Sequence, residues 1–173
     1  MCFGGEMVRI IGIDPGYAIV GYGIVDYDGF KFSTVGYGAI TTKAGEPFEK
    51  RLLSIYDDMN TLINRYNPQE LSIEKLYFNT NTTTAIDVAQ ARGVILLSAT
   101  QNKLKINEYT PLQVKQSVTG YGKAEKRQVM DMVKNLLMLS AVPKPDDTAD
   151  ALALAICHGH SRGNIYGKLS GGK

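Results

Sequence analysis

Only two cysteines, Cys2 and Cys157, occur in the 173 residues of this chain. Two cannot build a disulfide framework, and such sparing use suits a reducing cytoplasm, the expected location. No apolar run approaches the roughly 20 residues that cross a bilayer, so no membrane attachment is expected. Residues 1–6 lack a basic start followed by an apolar stretch; they read as an extension before Met7, not a secretory signal. Internal repeats, low-complexity blocks and domain linkers are all missing. Neither sign of charge dominates, with 19 Lys and Arg against 17 Asp and Glu and a net +2.

What is present suits one ordinary globular domain, with 44% apolar and 21% charged residues. The domain is predicted over 7–162, with 163–173 as a glycine-rich, flexible tail. Residues 8–14, 19–26 and 31–42 read as strands, the last two joined by a hairpin turn at Tyr27-Asp28-Gly29. Glycines at 21, 23, 36 and 38 weaken those strands and mark places where something approaches the backbone. After Pro47, apolar residues from Leu52 to Tyr66 follow a 3.6-residue period, and Asn67-Pro68 ends that helix. A strand over 70–75, a helix over 83–101 and a strand over 105–109 come next. Helices over 111–118, 125–139 and 148–161 close the chain. The order predicts a mixed five-stranded sheet with helices on both faces, an α/β fold.

Four carboxylates hold the most informative positions. Asp14 ends the apolar strand Ile10-Ile11-Gly12-Ile13, and Glu74 ends Leu71-Ser72-Ile73. Asp147 and Asp150 open the last helix, and their i, i+3 spacing puts them on one face. Singly, each has an ordinary explanation: Asp14 forms a turn, Glu74 pairs with a lysine, and Asp147 and Asp150 cap a helix. Together, at the ends of parallel strands and a helix start, they would converge and repel one another unless cations neutralise them. Hard oxygen ligands in that number suit Mg²⁺ or Mn²⁺, and two such ions support in-line displacement at a phosphodiester. From Lys103 to Lys134, seven basic residues stand against three acidic ones. A basic flank beside a metal-binding cluster suits a polyanionic substrate.

The segments Gly12-Ile13-Asp14-Pro15-Gly16, Ile73-Glu74, Gln90-Ala91-Arg92-Gly93-Val94, Gln113-Val114-Lys115-Gln116, Gly122-Lys123-Ala124-Glu125-Lys126 and Asp147-Thr148-Ala149-Asp150-Ala151-Leu152-Ala153 occur in order. In this the chain resembles the RuvC-type crossover-junction endodeoxyribonucleases, Holliday-junction resolvases of the ribonuclease-H-like superfold, from about Met7 to Ser161. The resemblance implies Mg²⁺, two ions per site, on Asp14, Glu74, Asp147 and Asp150. It implies a homodimer that nicks two strands of a four-way DNA junction during recombination and repair, leaving 5′ phosphates, in the company of a branch-migration helicase complex. It puts Lys115 near the scissile phosphate, where it offsets transition-state charge. Lys126 fits a phosphate contact, as do Lys123 and Arg127. Tyr77, just past Glu74, is read as a platform on which an unpaired base stacks. One extra residue before Asp147 relative to some relatives leaves Asp146 as a competing ligand; the Asp-x-x-Asp spacing favours Asp147.

Two other classes compete. An actin-like ATP-binding kinase or ATPase also begins with Asp-x-Gly after a strand, but 173 residues leave no room for its second phosphate loop and second domain. A catalytically idle junction-binding module has no need of four mutually repelling carboxylates beside DNA. Cys157-His158-Gly159-His160 does not read as zinc-binding, since neighbouring residues on a helix diverge and no second cluster exists; packing and helix C-terminal charge account for it. Small residues along 83–101 (Ala85, Ala89, Ala91, Gly93 and Ala99) suit a close approach at a dimer interface.

Overall fold

The computed structural model describes residues 6–76 and 82–170. Strands β1 (Val8–Asp14), β2 (Ile19–Tyr27), β3 (Phe32–Thr41), β4 (Glu70–Glu74) and β5 (Lys105–Tyr109) form one sheet in the order β3-β2-β1-β4-β5. The first three run antiparallel as hairpins, while β4 and β5 lie parallel to β1. Helices α1 (Phe48–Tyr66), α2 (Thr82–Gln101), α3 (Pro111–Thr119), α4 (Lys126–Leu136) and α5 (Asp146–Ser170) complete the chain. The mixed α/β architecture is the one the sequence predicts.

Alternation along β1 builds two cores. Ile11 and Ile13 face Ile55, Met59 and Ile63 of α1 and Ile95 of α2. Val8 and Ile10 face Val129 and Val133 of α4 and Leu152 and Ile156 of α5. On that second face α5 lies unusually close to the sheet. A β-carbon at Gly12 would fall 2.0 Å from the Ala151 carbonyl oxygen, and one at Gly21 would fall 2.0 Å from that of Asp147. Gly23, Gly36 and Gly38 meet Leu152, Tyr66 and Tyr22, so these strand glycines do mark close approaches. Buried polar ties fix the helix further. Ser72 Oγ donates to the Leu154 carbonyl at 2.7 Å, and Thr148 Oγ1 to that of Gly38 at 3.1 Å.

Three boundaries differ from the sequence reading. The helix expected over 125–139 ends at Leu136, and Met138 adopts φ 52° beyond it. α5 starts at Asp146 and continues to Ser170 rather than stopping near Ser161. Gly159 lies within this helix and serves packing, since a β-carbon there would lie 2.4 Å from the Phe32 ring. His158 consequently lies inside the helix, and helix C-terminal charge does not explain it.

A carboxylate cleft at the strand ends

The β1–β4 register ends at Ile13 opposite Ile73, so Asp14 and Glu74 leave the sheet side by side at its carboxyl edge. The first turns of α5, lying over Gly21 beside Asp14, bring in Asp147 and Asp150. The four groups feel one another strongly. Burial pushes the Asp14 carboxyl up to about 8, and Asp150, Glu74 and Asp147 add repulsion. Glu74 is raised by burial and then by Asp150. Asp150 is raised by burial, against the pull of Lys126. Such a cluster of half-buried oxygen donors stores repulsion that a cation relieves.

In this structure the nearest cation is an ammonium. Lys126 Nζ lies 3.0 Å from Asp150 Oδ2 and 3.8 Å from Asp146 Oδ2. Its pKa rises, chiefly through the hydrogen bond to Asp150. As placed, no group of three or more His, Cys, Asp or Glu side chains among the described residues is arranged to hold a metal ion. The donor chemistry still fits a hard divalent ion: these are carboxylates alone, partly buried, and burial followed by the repulsion of its neighbours raises Asp14 to about 8. Asp146 is held outward by Lys144 at 2.8 Å and is absent from the groups that act on Asp14. That arrangement favours Asp147 as the member of the cluster.

Lys115 of α3 and Lys126 of α4 line a cavity of about 270 Å³ together with Glu74, Val114, Val129 and Asp150. A capping box, Thr110 with Gln113, and Pro111 at the first position fix the start of α3 and hence Lys115. Lys123 and Arg127 are exposed beside α4 and do not line the cavity. Tyr77 lies outside the described residues. A larger cavity of about 900 Å³, bordered by Tyr27, Leu112, Ser117 and His160, contains no carboxylate. Cys157, His158 and His160 turn to different partners, the Gln113 carbonyl, Glu70 and Ser117 respectively.

The structure adds a residue to which the sequence reading gave no role. Arg92 of α2 donates from Nε to the Glu74 carbonyl oxygen at 3.1 Å and from Nη2 to Glu108 Oε2 at 2.8 Å. Its place within Gln90-Ala91-Arg92-Gly93 was the only signal available in the chain.

Comparison with known proteins gives a consistent result. The family described as crossover junction endodeoxyribonuclease RuvC matches residues 10–158. A protein of that name from Ruminiclostridium cellulolyticum is 59% identical over 152 residues, covering 88% of this chain and 92% of its own. Another, from Caldanaerobacter subterraneus, is 51% identical over 166 residues, covering 96% and 100%. Among solved structures, Thermus thermophilus RuvC in complex with a Holliday junction substrate superposes with a TM-score of 0.82 at 29% identity, over 89% of this chain and 94% of that one.

Proposed function

The chain belongs to the RuvC family of crossover junction endodeoxyribonucleases, and from that membership we propose that it resolves four-way DNA junctions by paired, metal-assisted nicks in two strands. The observation that carries the chemistry is the mutual approach of Asp14, Glu74, Asp147 and Asp150 beside a cavity lined by Lys115 and Lys126. These four carboxylates are the residues that would hold two Mg²⁺ ions, or Mn²⁺ in their place. When bound, such ions activate the attacking water and offset charge on the leaving oxygen. The chain's own part is to orient the phosphate and balance its charge. Lys115, beside Glu74 in the cavity wall, neutralises the phosphoryl group as charge builds. Lys126 holds a neighbouring phosphate, and the exposed Lys123 and Arg127 track the DNA backbone. Tyr77 keeps the role read from the sequence, a ring on which an unpaired base stacks.

Symmetric nicks call for two equivalent sites, and a two-fold homodimer supplies them. Helix α2 carries a suitable face. Ile86 and Leu97 are 56% and 53% exposed and share a stripe with exposed Gln90 and Gly93. Leu53 of α1 is exposed as well, and α1 adjoins α2 through the Tyr56–Gln101 hydrogen bond. Of the small residues named above, Ala91 and Ala99 are fully buried in this chain's own core, Ala85 and Ala89 are half-buried, and Gly93 is exposed. A branch-migration helicase is the further partner that the family suggests, and the cytoplasm is the compartment. Among the described residues no helix is long and apolar enough to cross a membrane.

Cleavage of a synthetic four-way junction, beside a linear duplex of the same sequence, tests the reading. Paired nicks in the junction alone, and only with Mg²⁺, are expected. Equal cutting of the duplex, or cutting in a chelator, refutes it.

A further inference from the structure

We propose that Arg92 is the positioning residue for Glu74, fixing the direction in which that carboxylate leaves the sheet and thereby setting the affinity of the cleft for a divalent ion. The inference rests on the reading of Glu74 as a metal ligand and goes beyond it to a residue of another element.

The geometry is specific to one peptide unit. The amide between Glu74 and Lys75 is held at both ends. Lys75 N–H donates to the Tyr109 carbonyl at 2.8 Å, the last rung of the β4–β5 ladder. The Glu74 carbonyl oxygen accepts from Arg92 Nε at 3.1 Å. With both ends fixed this peptide plane cannot rotate, and together with the sheet-bound plane before it, it sets the Cα–Cβ direction of Glu74. The guanidinium is itself fixed by Glu108 of β5, so a single side chain ties the ends of β4 and β5 to α2.

A plain surface ion pair is the competing account, and the burial argues against it. The Glu108 side chain is 44% exposed, and a pair so wet contributes little stability. The Arg92 side chain is only 13% exposed, so its charge has left water and requires the acceptors it has found. Arginine suits this place because its planar fork serves two acceptors in fixed directions; lysine is a point donor.

The test is Mn²⁺ binding to the DNA-free protein, read as free Mn²⁺ by electron paramagnetic resonance, for wild type, Arg92→Gln, Arg92→Lys, Glu108→Gln and Glu74→Gln, each with its melting curve. Groups that orient a metal ligand typically govern about 10–100-fold in affinity, and a loss of that size is expected for folded Arg92→Gln. Arg92→Lys should recover part of it, and Glu108→Gln should lose severalfold. Junction cleavage by Arg92→Gln should return towards the wild-type maximum as Mg²⁺ is raised, a shift in metal requirement rather than in maximal rate. A folded Arg92→Gln that binds Mn²⁺ within twofold of wild type overturns the proposal. Should that variant not fold, an unshifted Glu108→Gln overturns it instead. Unchanged Mn²⁺ binding by Glu74→Gln would overturn the carboxylate reading itself, which separates the two failures.

Discussion

Lys126 Nζ lies 3.0 Å from Asp150 Oδ2, so the cleft's basic and acidic members neutralise each other. A divalent ion on Asp150 would release that ammonium towards a phosphate. Lys126→Ala should therefore weaken junction binding most clearly when Ca²⁺ fills the cleft without supporting cleavage. The slope of log affinity against log salt should fall by about 0.9, the signature of one lost phosphate contact. The side chains are 56% and 35% exposed, so the melting temperature should hardly change. An unaltered slope in Ca²⁺ removes Lys126 from the DNA surface.

His158 links α5 to two strands, and the link should give the fold an acid limit. Its Nδ1 is 2.6 Å from the Tyr109 hydroxyl, and its Nε2 faces Glu70, which also pairs with Arg162. Burial carries the imidazole below its ordinary value, with Arg162 and Lys105 assisting and Glu70 opposing. The ring is thus neutral, donating from Nε2 to Glu70 and accepting from Tyr109. For Glu70, burial alone would raise the carboxyl, but His158 and Arg162 together bring it below its ordinary value. The unfolded chain takes up a proton near pH 6.5 that the folded ring refuses, so stability falls as pH drops through that value. Glu70 adds a second loss as pH falls through 4.5 and below. Melting curves of wild type should decline on acidification from about pH 7.5 to 5.5, and His158→Gln should flatten that decline. Parallel curves for the two proteins would assign the decline elsewhere.

The positions of Asp14 and Glu74 were legible because each ends a short apolar strand, and a carboxylate there has to find a partner. Element order was legible from the change of period between strands and helices. Register was not: nothing local says that Ile13 stands opposite Ile73, and that pairing is what sets the two carboxylates side by side. The extent of α5 was hidden by the glycines that follow Ser161, and the purpose of Gly159 within it is visible only when Phe32, far away in sequence, closes on it. Glu70 and His158 are 88 residues apart, and nothing local in the sequence joins them. Arg92 stands in a segment that carries the family resemblance, but its partner was not legible, because that partner is a carbonyl oxygen on another element.

The exposed stripe on α2 gives a direct test of assembly. Leu97→Asp with Ile86→Asp places two charges on the proposed two-fold face without touching the buried Ile95 or Ala99. Light scattering should report a dimer for wild type and a monomer for the double variant. Far-ultraviolet circular dichroism should match between them. Paired nicking of a junction should be lost with the dimer. A double variant that keeps the dimer mass moves the interface off α2.

Gly21 decides how close the start of α5 can come to β2. It pairs with Asp14 across β1 and β2, and a β-carbon on it would lie 2.0 Å from the Asp147 carbonyl oxygen and 2.3 Å from the carbonyl carbon. Both are backbone atoms, so no rotamer change relieves the overlap. Gly21→Ala must lift the first turn of α5, and Asp147 and Asp150 move away from Asp14 with it. The hydrogen bond from Thr148 to the Gly38 carbonyl strains in the same displacement. Overpacking of this kind costs about 1–3 kcal/mol, and each kcal/mol lowers the melting temperature by about 2–4 °C in a domain of this size. Gly23→Ala is the control. Its β-carbon would meet Leu152 Cδ2 and Cγ first, at 2.5 and 2.6 Å, side-chain atoms rather than the Asp147 backbone. Both variants should lose stability, but only Gly21→Ala should also lose Mn²⁺ affinity and junction cleavage well below its own melting temperature. If folded Gly21→Ala cleaves at the wild-type rate, the close seating of α5 matters to the core alone, and the convergence of the four carboxylates has to be credited to the β1–β4 edge.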